Sequence, residues 1–147
     1  MRGRLSASAR RVFDEELVAQ SVGTDIVEVA RFERAAEAGA DVRDDLFSKR
    51  ELAECRSRRH ENARLAACFA VKEAALKAAG IGLTEGTRFR EIEVVNQASG
   101  APQVRLHGRM RELVGDASQV RWLVASAFTD RLACAVVILR RKGTSSQ

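Results

Sequence analysis

The sequence predicts an α+β fold on three observations: an apolar strand near the start, a long alanine-rich helix in the middle, and strand candidates filling the second half. Strand, then helices, then strands is not the alternation that builds a parallel sheet. The expected architecture is a small antiparallel or mixed sheet packed against a long central helix. No repeat or linker divides the 147 residues, so one domain is expected. It is placed at residues 18–140, after an N-terminal extension (1–17) and before a disordered tail (141–147).

Each element has its own signal. Val18 to Val29 reads as a strand, with Val22, Ile26, Val27 and Val29 carrying the apolar load. A helical pattern continues through Ala30, Phe32, Ala35 and Ala36 to about Gly39. Leu46 to Arg59 is predicted as a charged, solvent-facing helix, opened by a capping box of Ser48 and Glu51. A third helix runs from about Asn62 to Ala79 and stops at Gly80. Phe89 to Val95 alternates as a strand, and Ser99-Gly100-Ala101-Pro102 turns the chain into Gln103 to Leu106. Arg109 to Val114 is a short helix. Trp122 to Phe128 and Leu132 to Leu139 are joined as a hairpin by Thr129-Asp130-Arg131.

Composition excludes several classes. Hydrophobic residues make up 46 % of the chain, enough for a core and too many for wholesale disorder. The longest apolar run is Leu132 to Leu139, far short of the ~20 residues a spanning helix needs. Cys55, Cys68 and Cys134 are odd in number and form no CxxC pair. A disulfide framework or zinc site is not expected, and a reducing cytoplasm fits. Lys and Arg number 25, of which 21 are Arg, against 20 acids, for a net charge of +5. An anionic partner is expected. Nucleic acid would match the charge, but the sequence lacks a recognition motif and an aromatic surface. Met1 to Phe13 holds four arginines and no acid. It resembles a transit peptide and equally a basic helix added to the domain; without an apolar core segment, secretion is not expected.

The sharpest signal lies between Leu65 and Gly80, in the run LAACFAVKEAALKAAG. A helix apolar on all sides belongs inside a domain, yet Lys72, Glu73 and Lys77 interrupt this one. Buried charges are paired or bound to something charged. Lys77 lies one turn beyond Glu73, and an exposed i,i+4 pair would gain only ~0.2–0.5 kcal/mol. Three charges on an oily helix therefore point to a site. Asp25 is similarly displaced, inside the strand SVGTDIVEV. Two carboxylates on adjacent rigid elements suit Mg²⁺, which completes its octahedron with water and phosphate oxygens. Lys77 beside them is expected to have a lowered pKa and to be able to act as a base.

Two motifs carry a resemblance. Gly23-Thr24-Asp25-Ile26-Val27-Glu28-Val29-Ala30-Arg31 is similar to G-x-D-I-x-E-x-x-R, and Phe69 to Ala78 matches F-x-x-K-E-A-x-x-K-A. Phe47 to Leu52, Ile92-Glu93-Val94 and Gly100-Ala101-Pro102 follow in the expected places. From Val22 to Leu139 the chain resembles the phosphopantetheinyl transferases of the holo-(acyl-carrier-protein) synthase type.

The resemblance implies that fold and a chemistry. A serine of an acyl carrier protein attacks the β-phosphate of coenzyme A, taking the phosphopantetheine arm and releasing 3′,5′-ADP. By similarity Asp25 and Glu73 bind Mg²⁺, and Glu73 or Lys77 helps remove the serine proton. Lys72 and Lys77 lie near the phosphates, with Thr129 the remaining polar residue of the family's last motif. Gly100 and Pro102 lie near the adenine, and Arg31 meets the acidic carrier. A cytoplasmic homotrimer is implied. The last motif, S-x-S/T-H, is Ala125-Ser126-Ala127-Phe128 here, and a basic position before Phe69 is Cys68. Losing those donors weakens phosphate binding unless Arg121 or Arg131 replaces them. This leaves open an alternative: a catalytically weak or inactive relative that binds carrier protein or serves as an assembly subunit.

Overall fold

The computed structural model describes residues 20–39, 41–56, 59–83 and 86–141. The extension expected at 1–17, and the expected tail apart from Arg141, lie outside the described residues. The chain begins with β1 (Gln20–Glu28), then α1 (Val29–Ala36), α2 (Val42–Leu46), α3 (Lys49–Arg56) and α4 (Glu61–Ala79). A 3-10 turn at Phe89–Glu91 leads into β2 (Ile92–Asn96) and β3 (Pro102–Leu106). Helix α5 (Gly108–Val114) and the hairpin β4 (Val120–Phe128) and β5 (Leu132–Arg141) complete the domain.

β1, β5 and β4 form one antiparallel sheet in that order, and β2 and β3 form a second antiparallel pair. Helix α4 packs against all three strands of the first sheet. Alternation along β5 shows why: Ala133, Ala135, Val137 and Leu139 are buried against the helix, while Leu132, Cys134 and Val136 face outward. Ala70, Ala74 and Ala78 are buried along α4, and small side chains let helix and sheet approach closely. The approach is tightest at Gly23, where a Cβ would meet the Ala74 carbonyl oxygen at 1.9 Å and the Ala78 nitrogen at 2.6 Å. Only glycine fits where backbone meets backbone. Asp25, two residues on, shares that inward face.

A second core gathers α1, Phe47, α3 and the first half of α4 around the fully buried Leu65. It explains two departures from the expected elements. The helix expected over 46–59 is broken at Phe47, whose extended backbone drops its ring beneath Phe32, centroids 6.0 Å apart. Ser48 then restarts the helix with the expected capping box: its N–H donates to Glu51 Oε2 at 2.7 Å, and the Glu51 N–H donates to Ser48 Oγ at 3.2 Å. Helix α3 is also not a solvated one, because Glu51, Leu52 and Cys55 are buried toward α4. Other corrections are small. α1 stops at Ala36 and the 3-10 turn takes the start of the strand expected from Phe89. β5 runs on to Arg141, which pairs with Val120 and donates to the Val114 carbonyl at 3.0 Å, so that residue is not tail. Among the described residues no helix is long and apolar enough to cross a membrane.

Candidate active site

The crossing of β1 and α4 brings three predicted residues together. Lys77 Nζ donates to Asp25 Oδ1 at 2.8 Å and to the Thr24 carbonyl at 2.9 Å. Asp25 is opposite Ala135 in the ladder, a small neighbour on the helix side of the sheet. Glu73, one turn before Lys77, is half-buried. Burial first, and then the negative charge of Asp25, push its carboxyl above the usual range, with Lys77 pulling the other way.

Lys77 differs from expectation. Its side chain is 52 % exposed, and the hydrogen bond to Asp25, outweighing desolvation and aided by the charges of Asp25 and Glu73, pushes its amine up rather than down. The residue is a held cation, not a neutral base. Asp25 and Glu73 are both hard oxygen donors, and a divalent cation would relieve the cost of placing two carboxylates side by side. The donor set therefore fits Mg²⁺. Among the described residues no cluster of three or more His, Cys, Asp or Glu side chains forms a metal site. Two protein carboxylates leave positions for water and phosphate, as Mg²⁺ prefers.

Lys72 is placed elsewhere. Its side chain is fully buried, and Nζ donates to Glu51 Oε2 at 2.9 Å and to the Phe89 carbonyl at 3.1 Å. The ammonium also lies 5.3 Å from the Phe47 ring centroid. Burial pushes its pKa down, against the charge and hydrogen bond of Glu51. The expectation that Lys72 lies near substrate phosphates is corrected: its side of α4 faces α3 and the second core. Glu51 is the residue that sequence reasoning missed. Its Oε1 accepts the Val94 N–H at 2.8 Å, so one carboxylate joins α3, α4 and β2.

The remaining predicted residues are spread over other elements. Gly100 takes the left-handed region (φ +83°) in the turn before β3, and Pro102 opens that strand. Pro102 lines a cleft of about 1160 Å³ between β3 and β4, with Arg105, Arg111, Arg121 and Trp122. Thr129 forms the β4–β5 turn, its Oγ1 accepting the N–H groups of Arg131 and Leu132 at 3.2 and 3.1 Å. Arg31 is exposed on α1. Phe128 carries the Arg64 guanidinium 5.2 Å above its ring. Ser126 shares with Asp25 the inward row through Ala135, whereas Ala125 and Ala127 face outward.

Fold and crossing define a class of protein: a small α+β enzyme domain with two carboxylates and a held lysine where its long helix meets its first strand. A family model described as the 4′-phosphopantetheinyl transferase superfamily matches residues 21–137. A Geobacter sulfurreducens protein named holo-[acyl-carrier-protein] synthase is 40 % identical over 121 residues, covering 81 % of this chain and 95 % of that one. A protein of the same name from Yersinia enterocolitica is 40 % identical over 119 residues, covering 80 % and 94 %. Among solved structures, a Chronobacterium ammoniagenes ACPS–CoA complex superposes with a TM-score of 0.74 at 25 % identity, covering 85 % of this chain and 99 % of that one. The Mycobacterium tuberculosis acyl carrier protein synthase gives 0.64 at 31 % identity, covering 83 % and 97 %. The chain belongs to the 4′-phosphopantetheinyl transferase superfamily and is an enzyme of its holo-(acyl-carrier-protein) synthase type.

Proposed function

We propose that the chain transfers the 4′-phosphopantetheine arm of coenzyme A to a serine of an acyl carrier protein, with Mg²⁺, releasing 3′,5′-ADP. The observation that carries this reading is the 2.8 Å contact of Lys77 with Asp25 on the flank of α4 that also bears Glu73. Asp25 and Glu73 would hold the ion, which when bound supplies neutralisation of charge on the pyrophosphate. The serine oxygen forms a bond to the β-phosphorus as the bond to the ADP oxygen breaks. Lys77, held as a cation, is not free to take the serine proton, which leaves that role to Glu73. Lys77 stays charged and fixes the Asp25 carboxylate while facing the anionic substrate.

Binding follows the charge distribution. The Arg-lined cleft beside Pro102 suits the nucleotide half of coenzyme A, and Trp122 offers an apolar wall. Arg31 and Arg34 stand exposed on α1 for an acidic carrier protein. A homotrimer is supported by the outward face of the three-stranded sheet, where Val22 is 62 % exposed and Ile26 72 %, joined by Leu132 and Val136. An apolar face of this kind is the usual mark of an interface. A cytoplasmic location is part of the same reading. The inactive-relative alternative rests on Ala125 and Phe128 and is disfavoured by relatives named as synthases.

Incubation with coenzyme A, Mg²⁺ and several apo carrier proteins, followed by intact-mass measurement, tests the reading. At least one carrier is expected to gain the arm. If none does while a control transferase modifies them all, the reading fails.

A further inference from the structure

Helices α3 and α4 pack against each other in antiparallel sense, and two residue pairs one helical turn apart mark the register. Glu51 meets Lys72 at 2.9 Å. Four residues on along α3 and four back along α4 come Cys55, in the second core, and Cys68, packed against it. In the connection between the helices, Arg64 Nε donates to the Arg59 carbonyl at 3.0 Å. The second pair holds two free thiols. Cys55 is 6 % exposed within the core that contains Phe47, Leu52 and Leu65, and Cys68 packs against the same core while keeping partial access to solvent. The transfer chemistry uses neither sulfur.

We propose that Cys55 and Cys68 are a redox modification site, a dithiol that closes to a disulfide within one subunit on exposure to a peroxide or to a small-molecule disulfide such as oxidised glutathione. The antiparallel register supplies the geometry, since the Glu51–Lys72 ion pair one turn away holds the two helices at contact distance. The electrostatics divide the roles. Hydrogen bonding from Cys68 pulls the Cys55 thiol down despite burial, with help from Arg64; the same bond and burial push Cys68 up. The pair therefore offers one sulfur that ionises more readily than the other, and Cys68 gives the reagent its approach.

With hydrogen peroxide the thiolate sulfur attacks one oxygen, the O–O bond breaks, and a sulfenic acid and one water form once the departing oxygen is protonated. The second sulfur then attacks the sulfenic sulfur, forming the S–S bond and expelling the second water. Two thiols lose two electrons and two protons, and peroxide is reduced to two waters. With oxidised glutathione the same oxidation proceeds by two exchanges and releases two reduced glutathiones.

The full-length chain carrying Cys134→Ser, which removes the exposed thiol, is treated with hydrogen peroxide or oxidised glutathione under native conditions. The expected product is monomer-linked and lighter by two hydrogens, with no thiol alkylated after denaturation and a single cross-linked Cys55–Cys68 peptide. Dithiothreitol restores the original mass. The bond ties a loop that is open in the reduced unfolded chain, so melting is expected to rise by several degrees on oxidation. Adding Cys68→Ser should replace the loss of two hydrogens by an added oxygen or a glutathione adduct at Cys55. Two thiols still alkylatable, added oxygen without a cross-link in the Cys134→Ser chain, or a bond between chains would overturn the proposal. None of these readouts depends on transferase activity, so the redox site stands or falls apart from the function proposed above.

Discussion

Lys72 Nζ lies 2.9 Å from Glu51 Oε2 with both side chains fully buried. Removing one partner of such a pair strands the other charge, a cost of about 3–5 kcal/mol. Lys72→Met and Glu51→Gln are each expected to lower unfolding free energy by about that amount in urea titrations. The double variant should recover most of the loss, since the Gln amide oxygen still accepts the Val94 N–H. Folded Lys72→Met protein should keep its KM for coenzyme A. A large KM increase without loss of stability would instead return Lys72 to the phosphates.

Gly23 is where β1 touches α4, its missing Cβ leaving room for the Ala74 carbonyl oxygen. Gly23→Ala must push strand and helix apart, because neither backbone atom can rotate away. Overpacking of this kind costs about 1–3 kcal/mol. Asp25 lies two residues along, so the same displacement separates it from Lys77 and Glu73. Activity should fall by more than the unfolded fraction accounts for, measured as kcat on protein shown to be folded by circular dichroism. Unchanged kcat at lowered stability would show that the crossing tolerates the shift.

Much of this was legible in the sequence because burial leaves traces. The unbroken apolar run of β5 and the all-round apolar surface of α4 announced their elements, and Asp25, Glu73 and Lys77 stood out as charges where burial should exclude them. Lys72 stood out by the same rule and was misplaced. The rule says that a buried charge needs a partner, not whether the partner is a ligand or another side chain, and Glu51 already had a local role in the capping box. The break at Phe47 was hidden because its cause, a ring dropped into a distant aromatic cluster, is tertiary. Cys55 and Cys68 became neighbours through antiparallel helix register, which no short cysteine spacing encodes.

The paired carboxylates carry the next expectation. Asp25→Asn and Glu73→Gln should each lower kcat about 10²-fold or more, the scale for losing a group that stabilises transition-state charge. The Mg²⁺ concentration for half-maximal rate should rise in both, while melting temperatures change little, because Asp25 and Glu73 are only partly buried. Chelation of divalent ions should abolish transfer by the unaltered protein, and added Mg²⁺ should restore it. Full activity in the presence of chelator would remove the metal from the mechanism.

The outward sheet face gives a separate test. Ile26 is 72 % exposed and Val136 44 %, and they belong to adjacent strands of one apolar surface. Ile26→Lys with Val136→Asp places charge on that face without touching the core. Light scattering after size exclusion should report trimer for the original chain and monomer for the variant. A monomeric original chain would mean that another partner covers the face.

Acid stability should depend on Glu93. Burial pushes its carboxyl up, but hydrogen bonds from Ser48 and His107 and the charges of His107 and Arg50 win, holding it below the ordinary 4.5. A carboxyl depressed in the folded state binds its proton more readily when unfolded. Its contribution is therefore present above the unfolded value and is lost as pH falls through the folded one. Glu93→Gln should be less stable than the original chain at pH 7, and the difference should shrink as pH drops below about 4.5. Equilibrium unfolding at a series of pH values follows both curves. A gap that stays constant down to pH 3 would show that Glu93 contributes through packing, not through its charge.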